Sequence, residues 1–176
     1  MCGIAGFHIK DNLLDKKNIL KKMNDKLSHR GPDGEGFFTD DYVSFSHKRL
    51  AIIDLNSRSD QPFKDENENF VLVFNGEIYN YVELKHLLVQ KGFKFSTTSD
   101  TEVLLNGLIK FGYQFLNKVE GMFAFALYDN KKKELLLGRD HVGMKPLYYS
   151  ITPRHFVFGS EPKVIFKTDL VQKKIK

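Results

Sequence analysis

The chain has 176 residues, 41% hydrophobic and 28% charged, which suits one globular domain with a sizeable core and argues against disorder. Its net charge of +5 comes from lysines scattered through residues 16–26, 131–133 and 173–176 with acids in between, so we read them as solvated faces and expect no nucleic-acid partner. One cysteine excludes internal disulfides, and no apolar run is long enough for a membrane span or a signal-peptide core, so a cytoplasmic protein without a membrane partner is expected.

The first candidate stands at the N-terminus. Cys2 directly follows Met1, so trimming the methionine leaves a thiol and a free α-amine on one residue. A thiol attacks only as thiolate, and an α-amine with a pKa of about 7.7–8.0 can take its proton near neutral pH. A small buried cysteine at the start of a strand is the competing reading. Residues 3–9 read as a strand that carries the terminus into the core, and residues 15–27 as a helix with Ile19, Leu20, Met23 and Leu27 on one face. His29-Arg30-Gly31-Pro32-Asp33-Gly34 is a loop by its glycine and proline content. Residues 36–39 and 42–46 flank Asp40-Asp41 as a hairpin, and strand character continues over residues 46–55 before a polar loop.

Residues 70–74 form a near-continuous apolar run, as in a strand covered on both faces. Asn75-Gly76 follows, the strongest short hairpin signal; yet Glu77 to Tyr81 leads into a helix rather than a partner strand, so a pair of oxyanion donors is weighed against the turn. Leu84, Leu87 and Leu88 mark a helix that Gly92 terminates, and Asp100 reads as the N-cap of a second helix through Val103, Leu104 and Leu108. Strands return at residues 122–128, 134–138, 146–150 and 156–159. Gly34-Glu35-Gly36 lacks the third glycine of a dinucleotide-binding loop, and the six histidines show no paired short spacing, so neither a nucleotide nor a metal is expected in this chain. Strands, two adjacent helices and strands again do not alternate as βαβ units. The expected class is α+β, with two antiparallel sheets stacked face to face and a helical layer on each outer side.

Seven blocks carry a resemblance. Met1 to Gly6, the loop His29 to Asp33, the stretch His47 to Asp54, Asn75-Gly76-Glu77-Ile78-Tyr79-Asn80, Ser99-Asp100-Thr101-Glu102, Glu120 to Ala126 and Gly138 to Tyr149 together resemble the class II glutamine amidotransferase domain of asparagine synthetases, in that family's order. The resemblance covers residue 2 to about residue 163. It implies the N-terminal nucleophile hydrolase fold, a four-layer αββα sandwich, and a domain at 1–163 followed by a linker or tail at 164–176.

It also implies an activity, hydrolysis of L-glutamine to glutamate and ammonia through a thioester on Cys2. In this reading Asn75, by its side-chain amide, and Gly76, by its backbone N–H, form the oxyanion hole. Arg49 holds the substrate α-carboxylate, a geometry its planar fork suits, and Asp100 holds the ammonium. Leu50, Ile52 and Glu77 complete the substrate-binding set, Ile52 and Glu77 through their main chain. Taken alone, Arg49 reads better as an exposed strand arginine, and Asp100 as an ordinary helix cap. Arg30, Asp33, Arg139 and Asp140 are read as ion pairs that hold the pocket or as a surface for a partner domain. The Ser-Gly-Gly-x-Asp-Ser pyrophosphate loop of asparagine synthetases is absent from residues 1–176, so ATP and magnesium are expected only in a synthetase domain or subunit that receives the ammonia. A hydrolase of other amides, and a non-catalytic module that retains Met1, are the competing readings. The nitrogen acceptor and the oligomeric state, a homodimer included, stay open.

Overall fold

The computed structural model describes residues 1–9 and 15–171, and residues 172–176 of the linker or tail expected at 164–176 lie outside the described residues. The N-terminal strand is central. In the first sheet β1 (Gly3–Ile9) lies between β3 (Val43–Arg49) and β9 (His155–Gly159), with β2 (Gly34–Thr39) and β8 (Tyr148–Ile151) at the edges. The second sheet runs in the order β4 (Phe63–Lys64), β5 (Phe70–Ile78), β6 (Gly121–Asp129), β7 (Glu134–Arg139). All neighbouring strands are antiparallel.

Strand alternation assigns the layers. On β5, Val71 and Val73 meet Ile4 of β1, Phe45 of β3 and Ala124 and Ala126 of β6 in a core between the two sheets. The other face of β5 and β6, with Leu72, Phe74, Phe123 and Phe125, packs on α2 (Tyr81–Gln90) and α3 (Asp100–Phe111) through Leu84, Leu88, Val103 and Leu104. Ala5, Phe7 and Ile9 face the other way from Ile4 and bury Leu20 and Met23 of α1 (Lys16–Asp25) and Val164 and Ile165 of α4 (Pro162–Phe166). The result is the αββα sandwich read from the sequence. The apolar runs of β5 and β6 have no polar face because each strand is covered twice. Packing also continues past residue 163, since Val164 and Ile165 belong to this outer core.

Local signals explain the ends. The Asp15 carboxylate accepts from Asn18 N–H at 3.1 Å and starts α1. Gly92 takes φ +91° just beyond α2, and Pro162 opens α4, where its missing N–H costs nothing.

Three local expectations change, and one competing reading falls. The strand predicted over residues 46–55 ends at Arg49, whose pairing with Gly34 is the last in the β2–β3 ladder. Among the described residues no strand pairs beyond it, Asp54 has φ +50°, and Ile52 and Leu55 are 66% and 74% exposed, so residues 50–55 gain nothing from an extended form. Asn75-Gly76 is not a turn: β5 continues to Ile78, with Asn75 opposite Ala124 and Gly76 opposite Phe123 on β6. Ser99, not Asp100, caps α3, its hydroxyl accepting from Thr101 N–H at 3.1 Å. The strand expected from residue 146 begins at Tyr148.

Phe125 is fully buried in the core under α3, with its ring against Gly138 and 6.1 Å from the Phe123 ring. Phe125→Ala removes that ring from a site with no means of collapse. The expected loss is about 3–5 kcal/mol, read as a lower urea midpoint at unchanged slope.

Candidate active site

Cys2 extends the inward-facing row of β1 one step past the strand end, in line with Ile4, so its thiol enters the space between the sheets. Its Sγ accepts from Leu50 N–H at 3.3 Å and donates to the Leu50 carbonyl at 3.5 Å. The main chain is pinned separately. Arg30 Nε donates to the Cys2 carbonyl at 2.9 Å while Arg30 Nη1 donates to Glu161 at 3.0 Å, and Ile4 N–H donates to Ser160 Oγ at 3.0 Å. None of these bonds uses the Cys2 nitrogen, so the residue stays placed when that nitrogen becomes a terminus. Burial pushes the Cys2 thiol up; the Leu50 N–H, the terminal charge and Arg49 offset this only in part. The thiol therefore needs a base in order to attack.

Asn75 lies on the inner face of β5 with Val71 and Val73 and is 1% exposed. Its Nδ2 is a buried donor without a hydrogen-bond partner. Such a group is costly to leave unmade, by about 1–3 kcal/mol, and sits where a ligand oxygen could satisfy it. The backbone adds a second donor by alternation. Phe74 N–H points to the β4 edge and donates to Gln61 Oε1 at 2.6 Å; Ile78 N–H points the same way and donates to Asp100 Oδ2 at 3.0 Å. Gly76 N–H lies between them on that edge, beyond β4, which pairs only with Val71 and Leu72. The residue must be glycine, because a Cβ there would stand 2.5 Å from the Met122 carbonyl and 2.8 Å from Phe123 Cα.

Two opposite charges are buried nearby. Arg49 is 8% exposed, and its guanidinium donates to the Asn56 carbonyl at 3.1 Å, to Asp60 Oδ1 at 2.6 Å and to the Asp54 carbonyl. Asp100 is 5% exposed and has no cation on it among the described residues. Burial raises its carboxyl pKa to about 6 against the N–H groups of Ile78 and Thr101, and neighbouring Glu77 adds to the rise. It is an acid waiting for a positive charge.

The thiol, the two donors and the two buried charges line one cavity of about 270 Å³, just below the ~300–1,000 Å³ typical of small-molecule sites. Cys2, Arg49, Asn75, Gly76 and Asp100 are brought together there; Leu50, Glu77 and the exposed Ile52 form its rim and wall. Sequence reading missed Gln61 and Lys145. Gln61 holds Phe74 N–H by one end and donates to Thr101 Oγ1 at 3.3 Å by the other, and nothing in its polar loop marks it. Lys145 lines the wall at 8% exposure and lay inside a quoted block without being singled out.

The four loop charges mostly bind backbone. Asp33 accepts from Ala51 N–H at 2.9 Å, Arg139 donates to the Lys145 and Gly143 carbonyls, and Asp140 accepts from the N–H groups of Phe123, Met144 and Lys145. Among the described residues, of these four only Arg30 makes an ion pair, with Glu161. Among the described residues no group of three or more His, Cys, Asp or Glu could hold a metal ion, and no helix is long and apolar enough to cross a membrane.

Comparison with known proteins gives the family. A model of the glutamine amidotransferase domain matches residues 1–176. The chain is 44% identical over 167 residues to asparagine synthetase [glutamine-hydrolyzing] 1 of Bacillus subtilis, covering 93% of this chain and 26% of that protein. It is 40% identical over 149 residues to asparagine synthetase B [glutamine-hydrolyzing] of Escherichia coli, covering 84% and 26%. The chain thus spans about a quarter of the length of these curated relatives. Among solved structures, glutamine phosphoribosylpyrophosphate amidotransferase from B. subtilis superposes with a TM-score of 0.78 at 24% identity, over 96% of this chain and 44% of that one, and shows the same fold. The chain belongs to the glutamine amidotransferase domain family, class II, with the N-terminal nucleophile hydrolase fold.

The buried Asp100 opposes the stability of the free fold. Its folded pKa of about 6 lies above the 3.8 of an ordinary aspartate, so folding favours the protonated form. The penalty is absent below about pH 4 and complete once pH has risen through about 6. Asp100→Asn is therefore expected to raise the melting temperature near neutral pH, with the gain over the parent shrinking as pH falls from about 6 towards 4. Parallel thermal melts across that window check it.

Proposed function

We propose that this chain, once Met1 is removed, hydrolyses the side-chain amide of L-glutamine to glutamate and ammonia, and supplies the ammonia to an ATP-dependent synthetase of the asparagine synthetase type. The observation that carries the reading is the unpartnered, buried Nδ2 of Asn75 in the same cavity as the Cys2 thiol. A donor left unpaired at a nucleophile is what a developing oxyanion needs, and it costs no reorganisation at the moment of reaction.

The steps follow from the groups present. The α-amine of Cys2 takes the thiol proton, and Sγ attacks the amide carbon. Negative charge moves to the carbonyl oxygen, which accepts from Asn75 Nδ2 and Gly76 N–H. The C–N bond breaks as the α-ammonium passes its proton to the departing nitrogen, leaving a thioester on Cys2. Water, deprotonated by the same amine, attacks the thioester; the C–S bond breaks, and glutamate leaves with the thiol restored. Arg49 and Asp100 hold the α-carboxylate and α-ammonium of the free amino acid, with Leu50, Ile52 and Glu77 around it. Amides of acylated amino acids lack that pair of end charges and leave the buried Asp100 without a partner. The synthetase, in a longer chain or a separate subunit, contributes the ATP and magnesium chemistry.

Intact mass of the purified chain tests the first premise: a free N-terminal cysteine is expected, and a retained Met1, whose residue already lines the cavity, would favour a non-catalytic module. Cys2→Ala is expected to abolish glutamate release while the far-UV spectrum is unchanged. Asn75→Ala lowers kcat by about 100- to 1,000-fold, the cost of one oxyanion donor. Arg49→Lys chiefly raises KM, by about tenfold. The opposite split between kcat and KM would exchange the two roles.

Acidity supplies a second test. Only the ionised Asp100 pairs with an ammonium, so below about pH 6 kcat/KM for glutamine falls more steeply than protonation of the Cys2 α-amine alone would give. In Asp100→Asn that added steepness disappears, and KM is raised by at least about 30-fold, matching the ~2 kcal/mol lower end for removing one member of a buried charged pair.

A further inference from the structure

Asp54 belongs to none of the groups that line the cavity, yet it touches the supports of both buried charges. Its carbonyl accepts from Arg49 Nη2. Its carboxylate, on a side chain only 3% exposed, crosses to a segment 44 residues further along the chain: Oδ2 accepts from Thr98 N–H at 2.8 Å and from Thr98 Oγ1 at 3.0 Å. Thr98 immediately precedes Ser99, the cap of α3, whose first residue is Asp100. One residue therefore connects the loop that encloses the Arg49 guanidinium to the backbone that carries Asp100.

A local role does not account for this arrangement. Asp54 Oδ1 accepts from Asn56 N–H at 3.2 Å, which is an ordinary Asx turn and needs only one oxygen. The second oxygen serves the distant segment, with Arg58 adding a bond from the solvent side, its Nε at 3.1 Å and its own side chain 49% exposed. The backbone of Asp54 sits at φ +50°, a left-handed conformation that a non-glycine residue holds only when its surroundings require it. The bonds from Thr98 N–H, opposed by burial and reinforced by the Thr98 hydroxyl and Asn56 N–H, hold the carboxyl well below the usual carboxylate range, so the tie stays ionised through the working pH range.

We propose that Asp54 is a positioning residue for the amino-acid substrate: by tying the loop around Arg49 to the segment before α3, it fixes the separation of the two charges that grip the two ends of the zwitterion. This rests on the glutaminase reading above. Neither charge depends on Asp54 for its existence. What depends on it is that both are presented together, and this matters for ground-state binding more than for the attack by sulfur, which takes place at the other end of the substrate.

The test measures glutamate release against glutamine concentration for the full chain with Met1 removed. Asp54→Asn keeps the shape and tolerates the left-handed backbone, but it puts an amide donor against one set of donors. The expected result is a KM raised about tenfold, with kcat at saturation within about threefold of the parent. Discrimination against a γ-carboxamide that lacks the α-amino group should also narrow, which general destabilisation would not produce. Thr98→Val, an exposed position that keeps the backbone bond, should raise KM by a smaller factor of about two to five. Arg58→Met, which removes only the solvent-side ion pair, should leave both constants within about twofold. An unchanged KM in Asp54→Asn, a loss confined to kcat, or an equal effect from Arg58→Met overturns the proposal while the glutaminase reading stands. If Asp54→Asn does not fold, Thr98→Val decides: a raised KM supports the tie and an unchanged one overturns it. A parent chain that releases no glutamate overturns both readings together.

Discussion

A chain end is ordinarily the least ordered part of a domain, and this one is built the other way round. β1 is hydrogen-bonded on both sides, to β3 and to β9, and its inner row meets the second sheet through Ile4. Everything at the site follows from that placement. A nucleophile whose own α-amine is its base works only if the terminus is both free and fixed, which the flanking ladders, the Arg30 bond to the Cys2 carbonyl and the Ser160 bond to Ile4 achieve together. The sandwich supplies the other half, because β5 of the facing sheet brings Asn75 to the same cavity by the same alternation that brings Cys2.

The site concentrates groups that the free fold would be more stable without. Asn75 Nδ2 has no partner, Asp100 is buried without a cation, and the Cys2 thiol is desolvated. The first is an unpaired buried donor and the second a buried carboxyl without a counter-charge, both of the kind that folding normally satisfies. They share one cavity, and one zwitterionic amide would satisfy them: its carbonyl oxygen for Asn75, its ammonium for Asp100, its electrophilic carbon for the thiol. The scaffold offsets the cost with saturated supports. Asp140 takes three backbone N–H groups behind β6, and Glu102 takes the N–H and hydroxyl groups of Ser96 and Thr97 in front of α3.

The two halves of the site are held differently. Asn75 and Gly76 stand on β5, and Cys2 directly before β1, strands with a neighbour on each side in their sheets, where a shift would disturb a ladder. Arg49 is the last residue of β3, enclosed by a loop without regular pairing, and Asp100 is the first residue of α3. The groups assigned to chemistry are therefore on rigid elements, and those assigned to binding stand where elements end. Side-chain ties such as Asp54 to Thr98 take the place there of the missing ladder.

Periodicity and composition alone determined the layers, most of the strands and helices, and the suspicion attached to Cys2, since each depends on side-chain spacing or on chain position. A residue whose meaning is local was legible too, Gly92 as a helix end. Where a local rule competes with a distant partner, only the tertiary structure decided. Asn75-Gly76 carries a strong turn signal, but β6, 45 or more residues away, pairs with it and keeps it extended. Asp100 looks like a cap, yet its carboxylate goes to Ile78 and leaves capping to Ser99; residues 50–55 look like strand, yet no strand lies beside them. Gln61 and Asp54 could not be read at all, because a hydrogen bond to a residue tens of positions away leaves no period in the chain. Sequence sets which faces are apolar, and so how the sheets stack; which polar atoms then find partners, and which are left open for a ligand, depends on contacts that exist only once they have stacked.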